Sequence, residues 1–70
     1  MENKIKELRK AKKLSQDQVA KICNVTRQTI NAIENNKYDP SLSLAFTLAK
    51  NLGVTVDELF KFEAEGTKKG

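Results

Sequence analysis

Arg27, Gln28, Asn31 and Asn35 fall on one side of a helical wheel drawn at about 100° per residue, with Ile30 and Ile33 on the other and Thr29 beside them. Every outward side chain in this set is planar and carries several hydrogen-bonding groups. Arginine can pair bidentately with guanine O6 and N7, and glutamine or asparagine with adenine N6 and N7. A helix that enters the major groove touches bases with its first turns. The chemistry on offer is therefore recognition of base edges. The alternative is a solvated polar face of the kind most surface helices carry. Arg27 weighs against that alternative. A cation in the first turn opposes the helix macrodipole at a cost of about 0.3–1 kcal/mol, and a nearby phosphate or guanine would offset it.

Other residues could meet the phosphate backbone. Gln16 opens the preceding helix, where free amides favour an anion; its alternative is a solvated helix-start residue. Asn36, Lys37 and Tyr38 follow the polar helix closely enough to reach phosphates flanking a groove. Asn36 could equally be a left-handed cap and Tyr38 a partly buried aromatic. Glu34 needs a different account, because a carboxylate near a helix C-terminus opposes the dipole and repels phosphate. It lies at the flank of the wheel, and Arg9, one turn beyond Ile5 and Leu8, is the best candidate cation. Arg9–Glu34 is thus read as a structural tie, with no DNA role for Glu34.

These side chains require five short helices to hold them. The first, near residues 3–12, has its apolar stripe at Ile5 and Leu8. Ser15-x-x-Gln18 is a capping-box pattern that opens the second, whose Val19, Ala20 and Cys23 share a face. Asn24 stands at the turn, where a left-handed residue is needed. Thr26 caps the third helix, near residues 27–35, so the second and third form a helix-turn-helix. The fourth starts at Ser41, after Asp39-Pro40, with a stripe of Leu44, Leu48 and Leu52 widened by Ala45 and Ala49, and Gly53 ends it. Thr55-x-x-Glu58 opens a one- or two-turn fifth helix through Phe60, and residues 61–63 suit a short extended piece. The expected fold is all-α and compact. Residues 1–63 form the domain and residues 64–70 a flexible, frayed tail.

Composition removes most other function classes. Seventy residues make one small domain, with 39% hydrophobic and 31% charged residues, as in a folded soluble protein. No apolar run approaches the roughly 18 residues that span a bilayer, and no signal-peptide stretch follows Met1, so a cytoplasmic protein is expected. One cysteine and no histidine argue against a disulfide, a zinc site and the commonest general base. Three scattered glycines build no phosphate-cradling loop. No catalytic residue, metal, cofactor or small-molecule ligand is implied, and an enzyme is not expected. Residues 1–38 carry nine basic side chains against four acidic ones, whereas residues 39–65 carry two against five. One surface is suited to a polyanion and another turned away from it, unless the lysines merely keep the chain soluble.

Residues 5 to about 60, some four-fifths of the chain, resemble the Cro/cI-type (XRE) helix-turn-helix repressors. The most specific pieces are LSQDQVA, VTRQTINAIENNKYDPS and LGVTVDELF. The resemblance implies a five-helix DNA-binding domain that acts as a homodimer on a palindromic operator and represses transcription. By position it also implies that Gln16 is a phosphate-binding glutamine. Thr26, Arg27, Gln28 and Asn31 fall on base- and backbone-contacting positions, Asn35 and Lys37 on phosphate positions, and Arg9 and Glu34 on an internal ion pair. Asn24 stands where a glycine is usual and Cys23 where an aliphatic residue is usual; the cysteine is read as core rather than as a redox sensor.

A domain this small gains from a partner. Phe46, Val54, Val56, Leu59, Phe60 and Phe62 exceed what a five-helix core obviously needs. A two-fold dimer through the fifth helix and the residues after it is expected, with Val54, Val56, Leu59, Phe60 and Phe62 in the interface. Completion of the core is the competing use for Phe46 and Phe60. A second function class is an antitoxin-like or other protein-binding module whose DNA binding is secondary.

Overall fold

A computed structural model describes residues 1–61. The elements run β1 (Glu2–Asn3), α1 (Ile5–Ala11), α2 (Gln16–Cys23), α3 (Arg27–Glu34), α4 (Leu42–Leu52), α5 (Val56–Leu59) and β2 (Phe60–Lys61). The expected tail at 64–70 and the candidate interface residue Phe62 lie outside the described residues.

Four of the five helices begin where a hydroxyl can cap them. The side chains of Ser15, Thr26, Ser41 and Thr55 accept hydrogen bonds from the backbone N–H groups of Gln18, Thr29, Leu44 and Glu58. At Ser15 and Thr55 the box is closed from the other side by Gln18 and Glu58. Each cap contributes about 1 kcal/mol by satisfying an amide the helix leaves orphaned. Two helices end on left-handed residues: α2 at Asn24 (φ 59°) and α4 at Gly53 (φ 77°).

The first helix starts at Ile5, where its apolar stripe begins, rather than near residue 3 as expected. Asn3 is not helical. It lies in β1, which pairs antiparallel with β2, Glu2 opposite Lys61 and Asn3 opposite Phe60. The Asn3 side chain accepts from the Ile5 N–H at 3.1 Å and donates to the Ile33 carbonyl at 2.8 Å, in the last turn of α3. It therefore opens one helix and closes another. The extended piece expected near residues 61–63 is seen at Phe60–Lys61, as the partner strand.

The core is one cluster drawn from every helix: Ile5, Val19, Ala20, Ile30, Ile33, Ala45, Leu48, Ala49, Leu52, Leu59 and Phe60. This corrects the expected interface. Leu59 is 1% exposed and Phe60 7%, so both are spent inside the monomer. The cause is the β1–β2 ladder, which holds the end of α5 beside the start of α1; the Lys4 N–H donates to the Leu59 carbonyl at 2.9 Å. Val54 and Val56 are half-buried and pack against the cluster. Among the described residues the two most exposed large apolar side chains lie instead on α4, where Leu42 is 71% exposed and Phe46, one turn on, 58%. Among the described residues, no helix is long and apolar enough to cross a membrane.

Candidate nucleic-acid interface

The second and third helices are joined through Asn24, Val25 and Thr26. Asn24 turns the chain in the left-handed region, and the Val25 N–H bonds back to the Ala20 carbonyl at 3.0 Å. Thr26 then caps α3. Ile30 and Ile33 are buried, which fixes the rotation of α3 about its own axis. With that face inward, Arg27, Gln28, Asn31 and Asn35 are all exposed. Arg27, Gln28 and Asn31 together line a shallow concavity. The side chains of Arg27 and Gln28 make no hydrogen bond or ion pair among the described residues. Helix α3 also has no acidic residue in its first turn, so its N-terminal amides lack an internal counter-charge.

Behind this face lies an ion pair. Arg9 Nε donates to Glu34 Oε2 at 2.7 Å and Nη2 donates to Oε1 at 3.2 Å, a bidentate arrangement. The Glu34 side chain is only 4% exposed and that of Arg9 10%. The third guanidinium nitrogen donates to the Leu14 carbonyl at 3.0 Å, which ties the α1–α2 turn to the same pair. The pair links α1 to the end of α3, as the wheel position of Glu34 suggested.

Gln16 is not a free helix-start residue. Its Nε2 donates to Glu34 Oε1 at 3.0 Å, and its Oε1 accepts from Asn31 Nδ2 at 3.5 Å. Asn35 Nδ2 in turn donates to Asn31 Oδ1 at 3.2 Å and to the Asn31 carbonyl at 2.9 Å. Sequence reasoning missed this connection. The amide side chains at Gln16, Asn31 and Asn35 are the signal the sequence offers for it.

The residues after α3 divide. Asn36 is left-handed (φ 60°) and its Oδ1 accepts from Asn3 Nδ2 at 3.3 Å, so it both turns the chain and braces the N-terminal segment. Lys37 and Tyr38 are exposed, Tyr38 at 53%. The N-terminal amine lies 3.2 Å from Asp39 Oδ1, which docks β1 beside the α3–α4 connection. Cys23 is half-buried against the core, and burial pushes its thiol up from its usual value, away from the reactive thiolate. Among the described residues, no group of three or more histidine, cysteine, aspartate or glutamate side chains is placed to hold a metal ion.

A family model described as "Helix-turn-helix" matches residues 5–59. An uncharacterised HTH-type transcriptional regulator of Methanocaldococcus jannaschii is 51% identical over 63 residues, 90% of this chain and 96% of that protein. The immunity repressor protein of Bacillus phage phi105 is 39% identical over 56 residues, 80% of this chain and 39% of the repressor. Among solved structures, the restriction-modification controller protein C.AhdI from Aeromonas hydrophila superposes with a TM-score of 0.73 at 34% identity, over 80% of this chain and 85% of that one. With its polar α3 face exposed and its fold and sequence shared with these proteins, the chain belongs to the Cro/cI-type (XRE) helix-turn-helix family of DNA-binding transcriptional regulators, a family without enzymatic activity.

Proposed function

We propose that this protein is a repressor that binds a palindromic operator as a homodimer, with α3 in the major groove of each half-site. The observation that carries the reading is the exposed row Arg27, Gln28 and Asn31, held outward by two buried isoleucines. Arg27 pairs with guanine, Gln28 and Asn31 read adenine edges, and Thr26 meets base or backbone beside them. Gln16, Asn35, Asn36, Lys37 and Tyr38 follow the phosphates. Gln16 and Asn36 do so with the hydrogen-bonding capacity their internal partners leave over. A regulator of this kind works in the cytoplasm with its DNA and blocks transcription by occupying the operator. That the phage relative is an immunity repressor and the structural relative a restriction-modification controller supports such a role.

A palindrome is read by two copies of α3, so a second copy is the proposed occupant of the exposed apolar face on α4. Leu42 and Phe46 form its centre, with half-buried Val56 lining a concavity beside Leu42. Selection from random duplexes tests the whole reading. The expected product is a pair of inverted half-sites whose centres lie about 34 Å apart, one turn of DNA. Recovered pools no different from the input overturn it; enrichment of a single unpaired half-site overturns the dimer alone.

A further inference from the structure

Glu34 sits at the closed end of a chain of hydrogen bonds whose open end is the polar face of α3. A carboxylate only accepts. The amide of Gln16 must therefore turn its nitrogen toward Glu34 Oε1, because the flipped amide would set oxygen against oxygen. That leaves Gln16 Oε1 facing Asn31, which answers with Nδ2. The oxygen of Asn31 then points the other way, where Asn35 Nδ2 donates to it. Two fixed acceptors therefore bracket the chain: the buried Glu34 carboxylate orients Gln16 from one end, and the Asn31 main-chain carbonyl, which accepts from Asn35 Nδ2 at 2.9 Å, orients Asn35 from the other, both favouring the same Asn31 orientation.

We propose that Glu34 is a positioning residue for sequence reading, which acts through Gln16 to hold the Asn31 amide in one orientation. The proposal rests on the DNA-reading function given above. Each amide nitrogen has two hydrogens, so Gln16 Nε2 and Asn31 Nδ2 each keep one N–H, and Asn31 Oδ1 keeps a lone pair. A donor and an acceptor side by side are what the major-groove edge of adenine requires. A free asparagine amide presents them in either order, whereas this one presents them in one. The relay thus converts a buried ion pair into base preference without bringing Glu34 near the duplex. The link between Gln16 and Asn31, at 3.5 Å, is the longest in the chain and the natural place to cut it.

Two variants test the relay, Gln16→Leu and Glu34→Gln. The first leaves Arg9–Glu34 intact, so it tests the idea even where the second unfolds the protein. In wild-type protein, the side-chain NH2 group of Asn31 is expected to show restricted motion by 15N relaxation, and in Gln16→Leu to become clearly more mobile, held then by Asn35 alone. In selection from random duplexes, both variants are expected to lose about fivefold or more of the preference at the base read by Asn31, the low end for one correctly faced bidentate contact. The preference at the bases read by Arg27 and Gln28 should stay. An Asn31 amide that is equally mobile in wild type and Gln16→Leu overturns the relay. So does a uniform affinity loss with an unchanged base profile, which would leave Gln16 as a phosphate contact alone. Wild-type protein that selects no sequence overturns the underlying DNA reading, and the relaxation measurement still judges the relay by itself.

Discussion

Helices α3 and α4 both bury an apolar face in the same core, yet what they turn outward differs. From α3 the exposed groups are a guanidinium and a series of amides; from α4 they include Leu42 and Phe46, beside the polar Ser43, Lys50 and Asn51. The difference lies in what each face gains from a partner. Exposed amides already bond to water, so they gain only where a partner offers matched donors and acceptors, which is a requirement for specificity. Exposed leucine and phenylalanine gain from any dry surface, roughly 25 cal/mol for each Å² removed from water, which supplies affinity with little discrimination. Under the proposed function the chain would divide its work: α4 would bring two copies together and α3 would decide where they stop.

The comparison breaks most visibly if the polar side of the molecule is cut at its buried root. Glu34→Ala leaves the Arg9 guanidinium buried without its partner, and removing one member of a buried pair costs about 3–5 kcal/mol. Urea unfolding of the free protein should show that loss, while Arg27→Ala, a few residues away on the exposed face, should stay within about 0.5 kcal/mol of wild type. Equal midpoints for Glu34→Ala and wild type would show that the ion pair does not hold α3 to α1.

A parallel contrast sorts the apolar residues. Leu59→Ala should cost about 2–5 kcal/mol of folding stability, as a large-to-small change in a closed core does. Phe46→Ala should leave the stability of the monomer within about 0.5 kcal/mol. It should nevertheless shift sedimentation at tens of micromolar toward monomer. A Phe46→Ala protein that is as dimeric as wild type moves the interface off α4.

These two leucine and phenylalanine positions also show how far the sequence could be read. The starts of α2, α3, α4 and α5 were legible, because a capping residue and its amide lie three positions apart and the pattern is complete within one turn. The outward face of α3 was legible for a similar reason, since Ile30 and Ile33 fix the wheel. Leu59 and Leu42 were not distinguishable, because periodicity reports that a residue is apolar and not whether another element covers it. What covers Leu59 is decided by a two-residue ladder between opposite ends of the chain, and so short a strand at Asn3 leaves no alternation to detect. The bond from Gln16 to Glu34 depends on how closely α2 and α3 cross, which neither helix encodes alone.

On DNA the contrast narrows to residues within one face. Gln28→Ala should cost about 1–3 kcal/mol on the operator and leave random duplex nearly unaffected, because a base contact contributes only where the base is right. Titrations at one fixed salt concentration, operator against random sequence, measure the difference. Equal losses on both would make Gln28 a backbone contact.

Lys37 should give the smallest and most uniform effect. It is exposed and lies just past α3, where a groove-bound helix brings the chain alongside the phosphates. A lysine that neutralises one phosphate releases about one counterion, so its loss lowers the slope of log affinity against log salt by about 0.9 and weakens every duplex alike. Lys37→Ala should therefore bind operator and random DNA more weakly by the same factor, with that factor shrinking as salt is raised. Gln28→Ala should leave the salt slope unchanged. The two substitutions give opposite signatures in one pair of titrations: one alters the slope and not the preference, the other the preference and not the slope. A Lys37→Ala protein whose loss is confined to the operator would move the line between reading and holding to a position beyond the end of α3.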